Sequence, residues 1–220
     1  MVEGGKIDWC GHANDAMTSI YDTIALSDAV QVAVDFAKEH PEETLIVVTG
    51  DHETGGLTLG FATTGYDTHY DYLQKQNVSY EDFDKIVGQM REGNVGFEDA
   101  LKQIEASFGL TTTQDQGLTL TAKELESLKA AYEKSMLGNA FKVMGDTEAF
   151  LYGGYEPLTV TCNHILNNKA GLAYTSYAHT GLQLPVYAHG PAADLFVGSY
   201  DNTDIFFKLM AAMNLTPDQK

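Results

Sequence analysis

The chain has 220 residues, 44% of them hydrophobic, with 13 basic against 31 acidic side chains and a formal net charge of −18. An excess of acid this large argues against a nucleic-acid partner, which needs basic patches to meet a phosphate backbone. It leaves room for an anionic small molecule reached through bound cations. The length allows one substantial core, or one core with an appended subdomain, and no apolar run approaches the roughly 18 residues of a membrane span.

Glu3, Asp8 and His12 crowd into the first dozen residues. A functional cluster normally sits in a loop framed on both sides. Either these residues are not a metal site, or the chain begins inside a larger protein with Val2 and Glu3 at the end of a strand. From Asn14 to His40 the pattern is helical: Ala25, Leu26, Ala29, Val30, Ala33, Phe36 and Ala37 recur at three- and four-residue steps. Pro41 ends it. The run 44–49 is short, apolar and rich in β-branched residues, as in a parallel strand covered on both faces. Gly50-Asp51-His52-Glu53-Thr54-Gly55-Gly56 follows at its carboxyl end, where α/β proteins place their active sites.

Residues 65–155 lack a buried-strand signature. Ser79 with Asp82, and Thr121 with Glu124, read as capping-box helix starts. The segments 80–91, 98–107 and 122–136 have amphipathic helical spacing. A helix through Val160, Ile165 and Leu166 comes next, then a loop with His179. A buried strand is predicted at 185–188 and a short one at 195–197. A closing helix at 201–213 should turn Ile205, Phe206, Leu209 and Met213 inward. The predicted fold is α/β: a core of 1–64 and 156–220 with a mostly parallel sheet flanked by helices, interrupted by a mainly helical insertion at 65–155. Cys10 and Cys162 are too few for a disulfide framework and are expected to be free.

Divalent metals take carboxylate oxygens and imidazole nitrogens that converge from distant parts of a chain. Asp8 and His12, four apart, share one side of a helical turn. Asp51 and His52 would diverge on a strand, but a turn just past its end can bring both to one cleft. His179 sits in a comparable loop. Taken singly, each of these residues reads more readily as a surface group or a helix cap.

Together, the run from Val2 to Asp8, His12, the run from Thr49 to Gly56, and His179-Thr180-Gly181 resemble the alkaline phosphatase family, in that family's order. The resemblance covers roughly 1–62 and 158–213 and little of the insertion. It implies that Asp8, His12 and His179 hold a first zinc, that Asp51 and His52 hold part of a second, and that Glu3 is a magnesium ligand. It further implies a bacterial-type zinc enzyme that hydrolyses phosphate monoesters through a phosphoserine, works as a homodimer, and is periplasmic or secreted. No segment here resembles those that carry the family's nucleophilic serine and phosphate-clamping arginine, and Arg91, the only arginine, lies in the insertion. The expectation is therefore the C-terminal part of such an enzyme, with no catalytic residue of its own, partly occupied metal sites and no turnover alone. An isolated metal-binding fragment is the alternative. So is a phosphodiesterase or sulfatase relative, against which the Gly50-to-Gly56 run argues. The insertion is expected to form a lid or a dimer contact. His40, His69, His164 and His189 match no ligand position and read as structural.

Overall fold

The computed structural model describes residues 1–114, 117–138 and 145–216. In chain order these form α1 (Gly5–His12), α2 (Ala16–Glu39), β1 (Ile46–Val48), β2 (Glu53–Thr54), β3 (Thr58–Leu59), α3 (Tyr80–Glu92), α4 (Phe97–Phe108), α5 (Ala122–Ser135), α6 (Asp146–Tyr152), α7 (Pro157–Ala170), β4 (Leu172–Ala173), β5 (His179–Thr180), β6 (Tyr187–His189) and α8 (Asp204–Ala212). Short 3-10 turns occupy Tyr70–Lys75 and Ala193–Phe196. The chain divides into two compact units: one of Met1–Glu3, Ile24–Glu53 and Gly181–Lys220, the other of Gly4–Thr23 and Thr54–Thr180.

The second unit holds most of the core. Helix α7 lies at its centre, buried from Pro157 to Ala170 along most of its length, and packs against α3, α4, α5 and α6. Pro157 opens it, where a missing N–H costs nothing, and Gly171 closes it in the left-handed conformation. Around it, α3 buries Phe83, Val87 and Met90, and α4 buries Ala100, Ile104 and Phe108. These are the three- and four-residue steps of an amphipathic helix. Phe83 meets Phe108 edge to face at 4.8 Å, the favoured arrangement for aromatic quadrupoles. The predicted caps form: Ser79 accepts the Asp82 N–H, and Thr121 and Glu124 close a full capping box. The helices accordingly run where the spacing predicts them.

Asp15, before α2, accepts from the Thr18 N–H and hydroxyl, the Gln76 amide and the Tyr80 N–H at 2.7–3.0 Å. Burial pushes its carboxyl above the ordinary range while these hydrogen bonds pull the other way. A buried carboxylate with four donors is a structural tie, joining the start of α2 to the start of α3. Cys10 and Cys162 are both free and buried, as expected.

The strands differ from the sequence reading in detail. Within the second unit β3 pairs with β4, Thr58 opposite Ala173, and within the first β1 pairs with β6, Val47 opposite Ala188. Both ladders are antiparallel and two strands wide, where the sequence suggests a mostly parallel sheet. The apolar run 44–49 signals burial, and burial does not fix strand direction; β1 is in fact only half-buried. Val2 and Glu3 lie outside any strand. The segment read as a strand at 195–197 falls largely in a 3-10 turn, with Phe196 buried.

In the first unit the apolar stripes are less covered than their periodicity predicts. Leu26, Ala29, Val30 and Ala33 of α2 are half-buried, and Phe36 is exposed. No residue of α8 is buried, and Phe206 and Phe207 are 58% and 56% exposed. Lys208 covers part of this surface, donating to the Leu195 carbonyl and lying 4.0 Å over the Tyr200 ring.

Candidate metal centre

Helix α1 is two turns long, so Asp8 and His12 project from one side, Oδ1 and Nε2 3.4 Å apart. His179 opens β5, and its Nε2 lies 3.5 Å from the same Asp8 oxygen and 3.2 Å from His12 Nε2. The second unit thus brings together three ligand atoms from two ends of its sequence. Their side chains are 32%, 24% and 49% exposed, respectively, open enough for an ion to enter.

Two features fit this set to a cation. First, His12 Nδ1 lies 2.6 Å from the Tyr177 carbonyl. A carbonyl only accepts, so Nδ1 carries the proton and Nε2 is left with a lone pair directed at Asp8 and His179. A ligating histidine is commonly held in this way, its second nitrogen bonded to a backbone oxygen. Second, ligands about 2.0–2.1 Å from a tetrahedral zinc stand about 3.3–3.4 Å from one another. The three separations here are 3.4, 3.5 and 3.2 Å. Two imidazoles and one carboxylate suit zinc better than magnesium or calcium, which take oxygen.

Glycines make the arrangement possible. A Cβ on Gly11 would stand 2.8 Å from the Thr54 carbonyl oxygen. One on Gly55 would stand 2.7 Å from both the Gly11 oxygen and the Tyr174 ring, and Gly55 has a φ of +92°. With no side chain between them, α1 and the Thr54-Gly55 segment touch backbone to backbone. The Thr54 hydroxyl donates to Asp8 Oδ1 at 2.5 Å. Gly55 accepts from the Thr175 and Ser176 N–H groups and donates to the Ala178 carbonyl, each at 3.0 Å. The segment thereby orients Asp8 on one side and braces the loop before His179 on the other. Neither Gly11 nor Thr54 stands out as a site residue in the sequence; the signal is the glycine pair directly after Thr54.

The first unit carries the remaining candidates. Asp51 and His52 follow β1 with Oδ2 and Nε2 3.4 Å apart, Asp51 exposed and His52 half-buried. Asp51 also lines an open groove of about 730 Å³ with Leu182, Tyr187, Phe196 and Tyr200. Glu3 is exposed.

Arg91 and the remaining histidines lie in other surroundings. Arg91 pairs with Glu156 at 3.0 Å and donates to the Ser135 carbonyl at 2.8 Å. His69 stacks on Tyr72, and His40 lies against Phe36. His189 is in β6. His164 is engaged with Asn14, and burial lowers its imidazole to about 4.

A model of the alkaline phosphatase family matches residues 1–215. The chain is 28% identical over 214 residues to alkaline phosphatase 3 of Bacillus subtilis (strain 168), covering 97% of this chain and 39% of that protein. A 75-residue stretch is 41% identical to the repressible alkaline phosphatase of Saccharomyces cerevisiae, 34% of this chain and 13% of that protein. Among solved structures it resembles the cold-active alkaline phosphatase of a psychrophilic Shewanella: TM-score 0.69, 29% identity, 96% of this chain and 44% of that one. The chain thus spans about two fifths of the length of the Bacillus relative, and its mixed helix and sheet architecture is that of part of an alkaline phosphatase. The chain belongs to the alkaline phosphatase family.

Proposed function

We propose that these residues form the zinc-binding part of a phosphatase that hydrolyses phosphate monoesters through a phosphoserine intermediate. The observation carrying this reading is the convergence of Asp8, His12 and His179 to 3.2–3.5 Å with the His12 tautomer set by Tyr177. Asp8, His12 and His179 would hold the first zinc, Asp51 and His52 would contribute to a second, and Glu3 would serve magnesium. Bound there, the metals supply Lewis acidity toward the phosphoryl oxygens and lower the pKa of a bound water toward neutrality. The chain's own part is to present ligands of fixed orientation. Asp8 brings the negative charge, its oxygen oriented by the Thr54 hydroxyl. His12 offers Nε2 because Nδ1 is committed to Tyr177, and His179 completes the set from the braced loop.

The phosphate-clamping arginine is not assigned to this chain, because its one arginine, Arg91, is committed to Glu156 and Ser135, and no serine of the chain is assigned as the nucleophile. On this reading the 220 residues bind zinc without turning over substrate, and the whole enzyme is a homodimer acting outside the cytoplasm. The helices of 65–155 would serve as a lid or a dimer contact. Competition with a chromogenic chelator, beside an assay with p-nitrophenyl phosphate, tests this directly. Zinc binding that is lost in Asp8→Ala, with no hydrolysis, is the expected result. No zinc binding, or binding indifferent to Asp8→Ala, refutes the metal assignment; Asp8-dependent hydrolysis refutes the inactivity.

A further inference from the structure

We infer that Asn14 is a positioning residue for the Asp8, His12 and His179 cluster, and that His164 is its support. The inference rests on the zinc reading above. Asn14 is the second residue after α1, is 2% exposed, and has a φ of 51°, in the left-handed region. Asparagine is among the few residues that enter that region at low cost. Glycine would satisfy the backbone equally well, so the side chain has a separate role.

That role is visible in its hydrogen bonds. The Asn14 amide nitrogen donates to the carbonyls of Gly11 and Ser176, each at 2.9 Å. Both partners only accept, which fixes which end of the amide is nitrogen. Its oxygen then faces His164 Nε2 at 2.8 Å, and that nitrogen must carry a proton. Helix α7 holds the same turn at two further points: Asn167 donates to the Asn14 carbonyl at 2.8 Å and Asn163 to the Ala13 carbonyl at 3.1 Å.

The partners matter more than their number. Gly11 immediately precedes His12. Ser176 immediately precedes Tyr177, whose carbonyl sets the His12 tautomer, and stands three residues before His179. One buried amide therefore joins the helix bearing Asp8 and His12 to the loop bearing His179. His164 keeps that amide from rotating, because a flipped Asn14 would turn a second donor toward the His164 N–H. Outer contacts of this kind set the direction of a metal ligand and typically carry about 10- to 100-fold in metal affinity.

The test uses the full chain and reads zinc affinity by chelator competition, with the visible spectrum of the cobalt-substituted protein as a measure of ligand geometry. Asn14→Gly keeps the backbone conformation and deletes the amide; it should weaken zinc about 10- to 100-fold and shift the cobalt bands. His164→Leu should act in the same direction, and His164→Gln, which retains a donor, should recover most of the loss. Ile104→Ala, a core truncation on α4, should lower the melting temperature and leave affinity and spectrum unchanged.

Wild-type affinity and spectrum in both Asn14→Gly and His164→Leu would overturn the inference, as would an equal loss of affinity in Ile104→Ala. If Asn14→Gly does not fold, the two His164 variants decide, and identical behaviour of His164→Gln and His164→Leu refutes the support role. A wild-type chain that binds no zinc, or one indifferent to Asp8→Ala, removes the zinc reading and this inference with it. Zinc binding that depends on Asp8 but not on Asn14 or His164 removes this inference alone.

Discussion

Replacing Asp84 with asparagine should stabilise the protein at pH 8 and leave it nearly unchanged at pH 4. Asp84 lies on α3, and its Oδ1 accepts the Thr159 hydroxyl of α7 at 2.5 Å. Burial is the largest influence raising its carboxyl from the ordinary 3.8 to about 6; Glu156 and Glu81 add to it, while the Thr159 hydroxyl and Arg91 oppose it. The folded protein therefore keeps a proton that the unfolded chain has already released. That contribution is fully present below about pH 4 and is lost as the pH rises through about 6. The difference between about 6 and 3.8, at about 1.36 kcal/mol per pH unit, gives about 3 kcal/mol as an upper bound. Asp84 is partly open to solvent, and screening reduces the expected gain to about 1–2 kcal/mol. Asparagine keeps the shape and an acceptor for Thr159, and removes the charge. Urea denaturation of both proteins at pH 4 and pH 8 measures the effect. An equal gain at the two pH values would show that ionisation is not the cause, and a loss at pH 8 would refute the reasoning.

Gly55→Ala places a Cβ 2.7 Å from the Gly11 oxygen at a positive φ and should cost about 2–4 kcal/mol from strain and overpacking combined. Gly65→Ala, also at positive φ but with open space around it, should cost only the backbone share; equal losses in urea melts would contradict the close-contact account. Removing the N-cap of α5 with Thr121→Ala should cost about 1 kcal/mol, and Thr121→Ser should restore it, as read by thermal denaturation. Arg91→Met strips the guanidinium from Glu156, which is 10% exposed, and should cost about 3–5 kcal/mol at pH 8. Burial already raises the Glu156 carboxyl, with Arg91 holding it down, so the loss should shrink as the pH falls and Glu156 takes up a proton. Adding Glu156→Gln should recover most of it, and a loss independent of pH would count against a buried charge as its source.

Features that depend on neighbours in sequence were readable before the structure. Ser79 and Thr121 mark helix starts because a cap is a local hydrogen bond, and the apolar steps of α3, α4 and α5 are the faces they bury. Asp8 and His12 were legible as a pair because a helical turn sets their spacing. His179 was not, since 167 residues separate it from His12 and only the family resemblance joined them. The stripes of α2 and α8 show where periodicity stops being informative: it identifies an apolar face without saying whether anything covers it. The apolar run of β1 likewise signals burial and not direction, and its partner β6 turned out antiparallel. What Gly11, Thr54 and Asn14 touch depends on segments distant in sequence coming together, which no local pattern records.

The distance along the chain between His12 and His179 has a thermodynamic side. An ion gripping both would act as a reversible tether across 167 residues, and closing a loop of that length removes unfolded-chain entropy worth about 5 kcal/mol in the chain-entropy picture. Helices α3 to α7 all lie inside that loop. Their resistance to unfolding would then track the free concentration of a cation that none of them touches, and chelation would loosen the whole unit rather than its one exposed corner.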